Sequence, residues 1–440
     1  MNSIPDSFER ANRAYGSLIP CVRRWIAGEP ILIVEGKGAV LKDSTGKEYL
    51  DLFCSHGTTA MIGYNHPAVV EALRHQVERL YALSAEFANV PAMELAERLT
   101  GVIPGPLKKV FFASAGTEAV EAGLFLAKKH TRKYEIVALY GAFHGRTHGS
   151  RSLLGYAPFR RGMGPLLPGI TLLPSYFCYR CQLGLSYPGC GLQCAKMLED
   201  TLRYATSGDV AVFVAEPVQG SAGNVPAPDG YFKQIKTILD RHGILLFMDE
   251  IYTALGTTGK LFCFEHFEVV PDFISMSKTL GGGVPMSALV TTEEIARSFA
   301  PPAPVSYFTT YSCNPLSAAA ALASLNVILE TKLWERAAQL GKYWMKGLSK
   351  LQQKHEIIGD VRGKGLLIAV ELVKDRKAKT PAAEEASQLR SEAARRGLIL
   401  SSGMGWLGNV VKMHPPAIMT TNQIDEALHL MDQSLTALKA

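Results

Sequence analysis

Apolar residues recur along the chain with two distinct periods. From Pro67 onward, Val69, Val70, Leu73, Val77 and Leu80 fall at helical spacing, and proline suits the first turn of a helix. A second helix is expected after Pro91. Elsewhere the apolar runs are unbroken: 244–248 (ILLFM), 210–215 (VAVFVA) and 273–276 (FISM). Runs of that length read as strands buried on both faces, as in a parallel sheet. Further strands are expected at 110–113 and 135–140, and short ones at 31–34, 39–42 and 48–53 with turns at 36–38 and 43–46. The C-terminal third predicts helices at 315–329, 334–354, 381–396 and 422–438, with a strand at 366–372. Residues 1–26 read as an N-terminal arm.

The chemistry follows two of the buried runs. Asp249-Glu250 comes where the 244–248 strand should end, and in open α/β sheets ligands sit at the carboxyl ends of strands. The 273–276 run ends at Ser277-Lys278, and Thr-Leu-Gly-Gly-Gly-Val-Pro follows. Most lysines after strands are solvated surface charges. Lys278 instead lies between apolar residues and a glycine run that lets backbone approach a ligand. It is a candidate Schiff-base lysine, and a carboxylate on the neighbouring strand could keep a pyridine nitrogen protonated. Pyridoxal phosphate asks both of its protein.

The interval from Asp249 to Lys278, with Asp-Glu-Ile and Ser-Lys-x-Leu-Gly-Gly-Gly-x-Pro, resembles the class III (subgroup II) aminotransferases of pyridoxal phosphate fold type I. The similarity runs from about Gly36 to near the C-terminus. It implies an α/β fold with a large, mostly parallel seven-stranded sheet, residues 61–325. A smaller α+β domain would come from 326–440 and part of 1–60. Ser114-Ala-Gly116-Thr117-Glu after a strand reads by itself as a capping box. The resemblance implies that it binds the cofactor's phosphate, with Gly116 and Thr117 offering backbone N–H groups. Phe143 aligns with the aromatic that stacks on the cofactor ring and His144 with its neighbour, although each alone would more often be structural. Glu216-Pro-Val-Gln-Gly and Val410-Val-Lys412-Met-His-Pro resemble two further family motifs. Thr310, before Asn314-Pro315, aligns with a threonine that reaches the cofactor of a neighbouring subunit. That implies a homodimer with shared active sites.

Four departures bear on substrate. Tyr252 stands where the family has Gln beside the cofactor's ring hydroxyl, and it can still donate one hydrogen bond. Thr257-Thr258-Gly replaces Arg-Thr-Gly. Ser221 replaces a Glu, and Lys412 replaces the arginine which that Glu neutralises. A lysine lacks the planar fork that grips a carboxylate. The expected reaction moves an amino group from an amine to an oxo acceptor, with Lys278 as attachment point and proton carrier. The expected substrate is not a standard α-amino acid alone: an ω-amine, an amino sugar or a specialised-metabolite amine fits. A racemase, epimerase or decarboxylase of the same fold would use the same Lys278 and Asp249.

The 440 residues suffice for a large and a small domain. The net charge is +6 with no long basic run, which argues against nucleic-acid binding. No apolar stretch is long enough to cross a membrane, and no signal-peptide core appears, so a cytoplasmic enzyme with mostly reduced cysteines is expected. Cys178, Cys181, Cys190 and Cys194 form a C-x2-C and C-x3-C pattern that invites zinc. The segment is short and the chemistry needs no metal, so no metal site is expected. Free thiols or a local disulfide are the alternatives.

Overall fold

The computed structural model describes residues 30–55, 57–299 and 309–438. The expected arm at 1–26, and the start of the segment that leads from Tyr307 to Thr310, lie outside the described residues.

A seven-stranded sheet forms the centre. Its strand order is Leu107–Ala113, Ser287–Thr292, Phe273–Met276, Leu245–Asp249, Val210–Ala215, Glu135–Leu139, Ile170–Leu173. Only Ser287–Thr292 runs against its neighbours, so the sheet is mostly parallel. The unbroken apolar runs follow from burial on both faces. Phe247, Phe273, Val212 and Val214 pack under the helix Gly116–Thr131, against Ala119, Val120 and Leu124. Leu246, Met248, Ile274 and Phe213 point the other way into the larger core.

The two ends of the described chain meet in smaller sheets. Ile33–Lys37, Val40–Asp43 and Glu48–Asp51 form a meander, and Leu398–Ile399 joins its edge in parallel through Leu398 opposite Leu50 and Ile399 opposite Asp51. A C-terminal sheet orders Ile358–Lys364, Leu367–Asp375, Val410–Met413 and Ser401–Met404. The helices Leu333–Lys354 and Thr421–Ala437 pack together beside it. No single described helix is long and apolar enough to cross a membrane.

One helix departs from its pattern. The apolar stripe from Val69 to Leu80 does not all face the core. In Pro67–Arg79, Val69 and Gln76 are buried, while Val77 and Leu80 are exposed. The helix Pro315–Glu330 covers only the side that carries Val69.

The cysteine segment is an anchor. Cys178, Cys181, Cys190 and Cys194 are free thiols, and no three His, Cys, Asp or Glu among the described residues are arranged to hold a metal. Between the first two, Arg180 Nε donates to Glu371 Oε1 at 2.5 Å and Arg180 Nη2 donates to the Lys379 carbonyl at 2.8 Å. Glu371 also accepts from Arg362 Nη1 at 2.7 Å, and both residues are buried. This trio joins the turn after Ile170–Leu173 to the C-terminal sheet. Removing the acid would leave Arg180 without its carboxylate and Arg362 with Asp360 alone, whose Oδ2 accepts from Nη1 at 2.7 Å; breaking a buried pair of this kind costs about 3–5 kcal/mol. Glu371→Ala should therefore lower unfolding free energy by that order, read by urea denaturation.

Candidate active site

The parallel register sets the centre of the site. Asp249 ends its strand directly opposite Ser275, and Lys278 comes three residues after Ser275. The Ser275 hydroxyl donates to Asp249 Oδ1 at 2.8 Å, and the Ile251 N–H donates to the same oxygen at 3.2 Å. Asp249 Oδ2 lies 2.8 Å from His144 Nδ1. The carboxylate is thus buried with hydrogen bonds on both oxygens, as a buried charge requires.

Lys278 opens a short 3-10 turn, Lys278–Gly281, with φ +44°, an uncommon conformation for a residue with a side chain. The turn is pinned on both sides. Ser277 Oγ donates to the Met286 carbonyl at 2.8 Å, and Thr279 Oγ1 donates to the Thr58 carbonyl at 2.9 Å. The amine faces a cavity of about 450 Å³ that Asp249 also lines. Desolvation by the surrounding protein holds the Lys278 pKa below the ordinary lysine value, while Asp249 and Glu216 pull it upward. That bias favours the neutral, nucleophilic amine.

Gly116, Thr117, Phe143 and His144 line the same cavity. Gly116 and Thr117 begin the 16-residue helix Gly116–Thr131, whose N-cap, Ala115, has no side-chain hydrogen bond to offer the first turn. A Cβ at Gly116 would approach Ile251 Cδ1 to 2.7 Å, so only glycine keeps this corner open. Ser114 is not among the lining residues; its N–H donates to the Glu118 carboxylate at 2.8 Å. Glu216 works largely through backbone. Its two oxygens accept from the Phe143 N–H at 2.9 Å and the Gly220 N–H at 3.0 Å, which fixes the aromatic against the cavity. Burial pushes the Glu216 pKa up to about 7.

The far wall carries the departures noted from sequence. Tyr252 does not keep its hydroxyl free for a ligand: it donates to Asn224 Oδ1 at 2.7 Å. Its ring instead lies beside two lysine side chains, with Lys278 Nζ at 4.9 Å and Lys412 Nζ at 5.3 Å from the centroid. Ser221 and Lys412 both line the cavity. Thr310 is exposed and does not line it. Sequence reading gave Arg146, Phe53, Met404 and His414 no role, yet all four line the cavity. Arg146 was two residues from a noted histidine. Its guanidinium lies 4.9 Å from the Phe159 ring centroid and 5.7 Å from that of Phe143, exposed at the rim.

These groups suit pyridoxal 5′-phosphate: a neutral-biased amine for the aldehyde, a buried acid for the ring nitrogen, an aromatic for one face and a helix N-terminus for the phosphate. His144 Nε2 is buried with no partner, a polar atom directed by the same histidine that holds the acid. The family described as aminotransferase class-III matches residues 23–435. This chain belongs to the class III aminotransferases. It uses pyridoxal 5′-phosphate and moves an amino group between an amine donor and an oxo acceptor. It is 36% identical over 423 residues to a leucine/methionine racemase of Thermococcus litoralis, covering 96% of this chain and 94% of that one. It is 37% identical over 410 residues to the mitochondrial alanine–glyoxylate aminotransferase 2 homolog 2 of Arabidopsis thaliana, covering 93% and 84%. Among solved structures, an (S)-enantioselective omega-transaminase from Thermomicrobium roseum superposes with a TM-score of 0.88 at 33% identity, covering 94% of each chain.

In this aminotransferase the acid should control the amine. Asp249→Asn removes one of the two charges that raise the Lys278 pKa, so the neutral amine should persist to lower pH. Acetic-anhydride labelling of Lys278 in the cofactor-free protein, followed by peptide mass spectrometry, should show its pH midpoint below that of an ordinary lysine and lower still in Asp249→Asn.

Proposed function

We propose that this enzyme transaminates an amine that carries a carboxylate at a second position, an amino acid or ω-amino acid. The reading rests on two cations, Lys412 and Arg146, lining the cavity into which Lys278 opens. Lys412 alone offers a point charge without a fork, as its sequence position implied. Arg146 supplies the planar fork elsewhere, at the rim.

The bound cofactor supplies an electron sink for charge at the substrate carbon. With the cofactor bound, Lys278 Nζ would hold its aldehyde carbon, and the amine, once freed by the substrate's, would carry a proton from the substrate carbon to that aldehyde carbon, two bonds along. Asp249, fixed in place by Ser275 and His144, would hold a proton on the ring nitrogen. Gly116 and Thr117 would hold the phosphate, and Phe143 would cover one ring face. Lys278→Ala should lose transamination by about 10²–10⁴-fold or more, together with borohydride fixation of the cofactor. Arg146→Met should raise KM for carboxylate-bearing donors about 10–100-fold, the worth of a charged hydrogen bond, and leave a plain amine such as 1-phenylethylamine unchanged. Equal effects on both donors would refute the carboxylate reading.

A second reading keeps the cofactor and returns the proton to the same carbon, giving racemisation. Its support is the leucine/methionine racemase at 36% identity over nearly the whole chain. Incubating a single amino-acid enantiomer in heavy water without an oxo acceptor separates the two readings: exchange with inversion marks a racemase.

The same reading makes the enzyme a homodimer. Tyr81, Phe87, Val90 and Met93 are exposed by 53–63%, and Tyr311 by 66%. Two hydrogen bonds hold these segments together, Asn314 Nδ2 to the Tyr81 carbonyl at 3.0 Å and Asn89 Nδ2 to the Cys313 carbonyl at 2.8 Å. Exposed apolar surface of that kind marks an interaction face, and Thr310 adjoins it. Phe87→Asp with Met93→Asp should yield a monomer by sedimentation and depress activity. A cytoplasmic location is part of this proposal, in keeping with the free thiols of the described cysteines.

A further inference from the structure

Among the described residues no carboxylate, carbonyl or hydroxyl accepts a hydrogen bond from Lys278 Nζ; what the amine stands over is the face of the Tyr252 ring, 4.9 Å from its centroid. That ring is fixed from several sides. A Cβ at Gly57, which has φ +98°, would come within 2.8 Å of Cε2 on one edge, and a Cβ at Gly220 within 2.9 Å of Cδ1 and Cε1 on the other. The two glycines leave a slot that one aromatic ring fills. At the tip of the ring the hydroxyl donates to Asn224 Oδ1 at 2.7 Å, and the His414 ring meets it at 5.4 Å and 80°. Tyr252 stands where the resembling family has a glutamine, which offers no such face.

An amine that carries a proton is a cation for part of each turnover. When Lys278 Nζ takes the proton, a C–H bond of the substrate breaks and an N–H bond forms. The electron pair stays with the substrate and cofactor, and Nζ is positively charged until it gives the proton up. Burial makes that charge costly. The groups around it divide. Asp249 and Glu216 attract it, yet their oxygens are committed, Asp249 to Ser275, His144 and the Ile251 N–H, and Glu216 to the Phe143 and Gly220 N–H groups. Lys412 on the same ring and Arg146 at the rim carry the opposing sign, and His144 and His414 complete the titratable lining. An aromatic ring is negative on its face and positive at its edge. It therefore attracts an ammonium without a hydrogen bond, and more strongly where water is displaced.

We propose that Tyr252 is a catalytic residue: its ring face bears the positive charge of Lys278 Nζ while the amine holds the substrate's proton. The inference rests on the assignment of proton transfer to Lys278. It gives the tyrosine a part in the reaction that its hydroxyl, already bonded to Asn224, does not supply.

The test keeps the shape of the ring and changes its face. Tyr252→Phe removes only the hydroxyl, and Tyr252→pentafluorophenylalanine, installed by codon suppression, reverses the charge on the face. Acetic-anhydride labelling of the cofactor-free protein reads the pH midpoint of Lys278. Tyr252→Phe should keep the native midpoint, and the fluorinated variant should fall about one pH unit below it, tenfold in proton affinity. Tyr252→Leu should fall as well, whereas a wall merely loosened would admit water and raise the midpoint. With pyridoxal 5′-phosphate bound, single turnover of an amine donor should be about three- to tenfold slower in the fluorinated variant than in Tyr252→Phe. A midpoint unchanged or raised in the fluorinated variant, or equal single-turnover rates, would overturn the role of Tyr252. If the fluorinated variant does not fold, Tyr252→Leu against Tyr252→Phe decides by the sign of the shift. Absence of borohydride fixation of the cofactor at Lys278 in the native protein would instead overturn the functional reading beneath it.

Discussion

The site depends on one strand register. Leu245–Asp249 and Phe273–Met276 run parallel with Asp249 opposite Ser275. A slip by one residue would turn Asp249 to the other face of the sheet and carry the turn at Lys278 away from it. Both strands are buried, so the register is held by the apolar packing of Phe247, Met248, Phe273 and Ile274 on the two faces. The polar consequences follow from that packing. The acid gains Ser275 and His144, and the amine loses water while two carboxylates remain near it. Desolvation wins over those charges and the amine is biased toward its neutral form.

Around this pair, groups that do no chemistry keep the cavity in shape. Glu216 clamps the backbone at Phe143 and Gly220. The loop after it is tied to the C-terminal sheet twice: Arg362 Nε donates to the Gly223 carbonyl at 2.8 Å, and Asn224 Nδ2 donates to the Ile368 carbonyl at 2.8 Å. Asn224 also receives the Tyr252 hydroxyl. The tyrosine ring is therefore held from the C-terminal sheet while it stands beside the lysine of the large sheet. The cavity lies between the two parts of the molecule, and a single chain of hydrogen bonds spans them. Arg362 and Glu371 extend that chain to the cysteine-bearing turn.

Tyr252, Ser221 and Lys412 line the cavity together. Lys412 and Lys278 share the Tyr252 ring, so an ammonium and the neutral-biased amine lie beside one aromatic surface. Such a ring lowers the energy of the Lys412 charge without neutralising it. Arg146 approaches the rim over Phe143 and Phe159 in the same manner.

Much of this was legible in the chain. Long apolar runs followed by an acid, and by a lysine before glycines, are local patterns, and the strands at 210–215, 244–248 and 273–276 were readable because burial on both faces leaves no alternation to interpret. Gly116, Thr117, Phe143, His144, Glu216 and Lys412 could be named for the cavity because the motifs that carry them resemble those of the class III aminotransferases. Three things could not be read. The stripe from Val69 to Leu80 is apolar at helical spacing whether it faces a core or the surface, and only the placement of Pro315–Glu330 settled which. The bond of Tyr252 to Asn224 joins residues 28 apart. The gathering of Arg146, Phe53, Met404 and His414 into one wall joins segments from both ends of the chain. Local sequence determines periodicity, turn chemistry and the residues at strand ends, because those depend on neighbours along the backbone. Which side chains meet across the cavity depends on how separate sheets dock, and that only the tertiary structure decided.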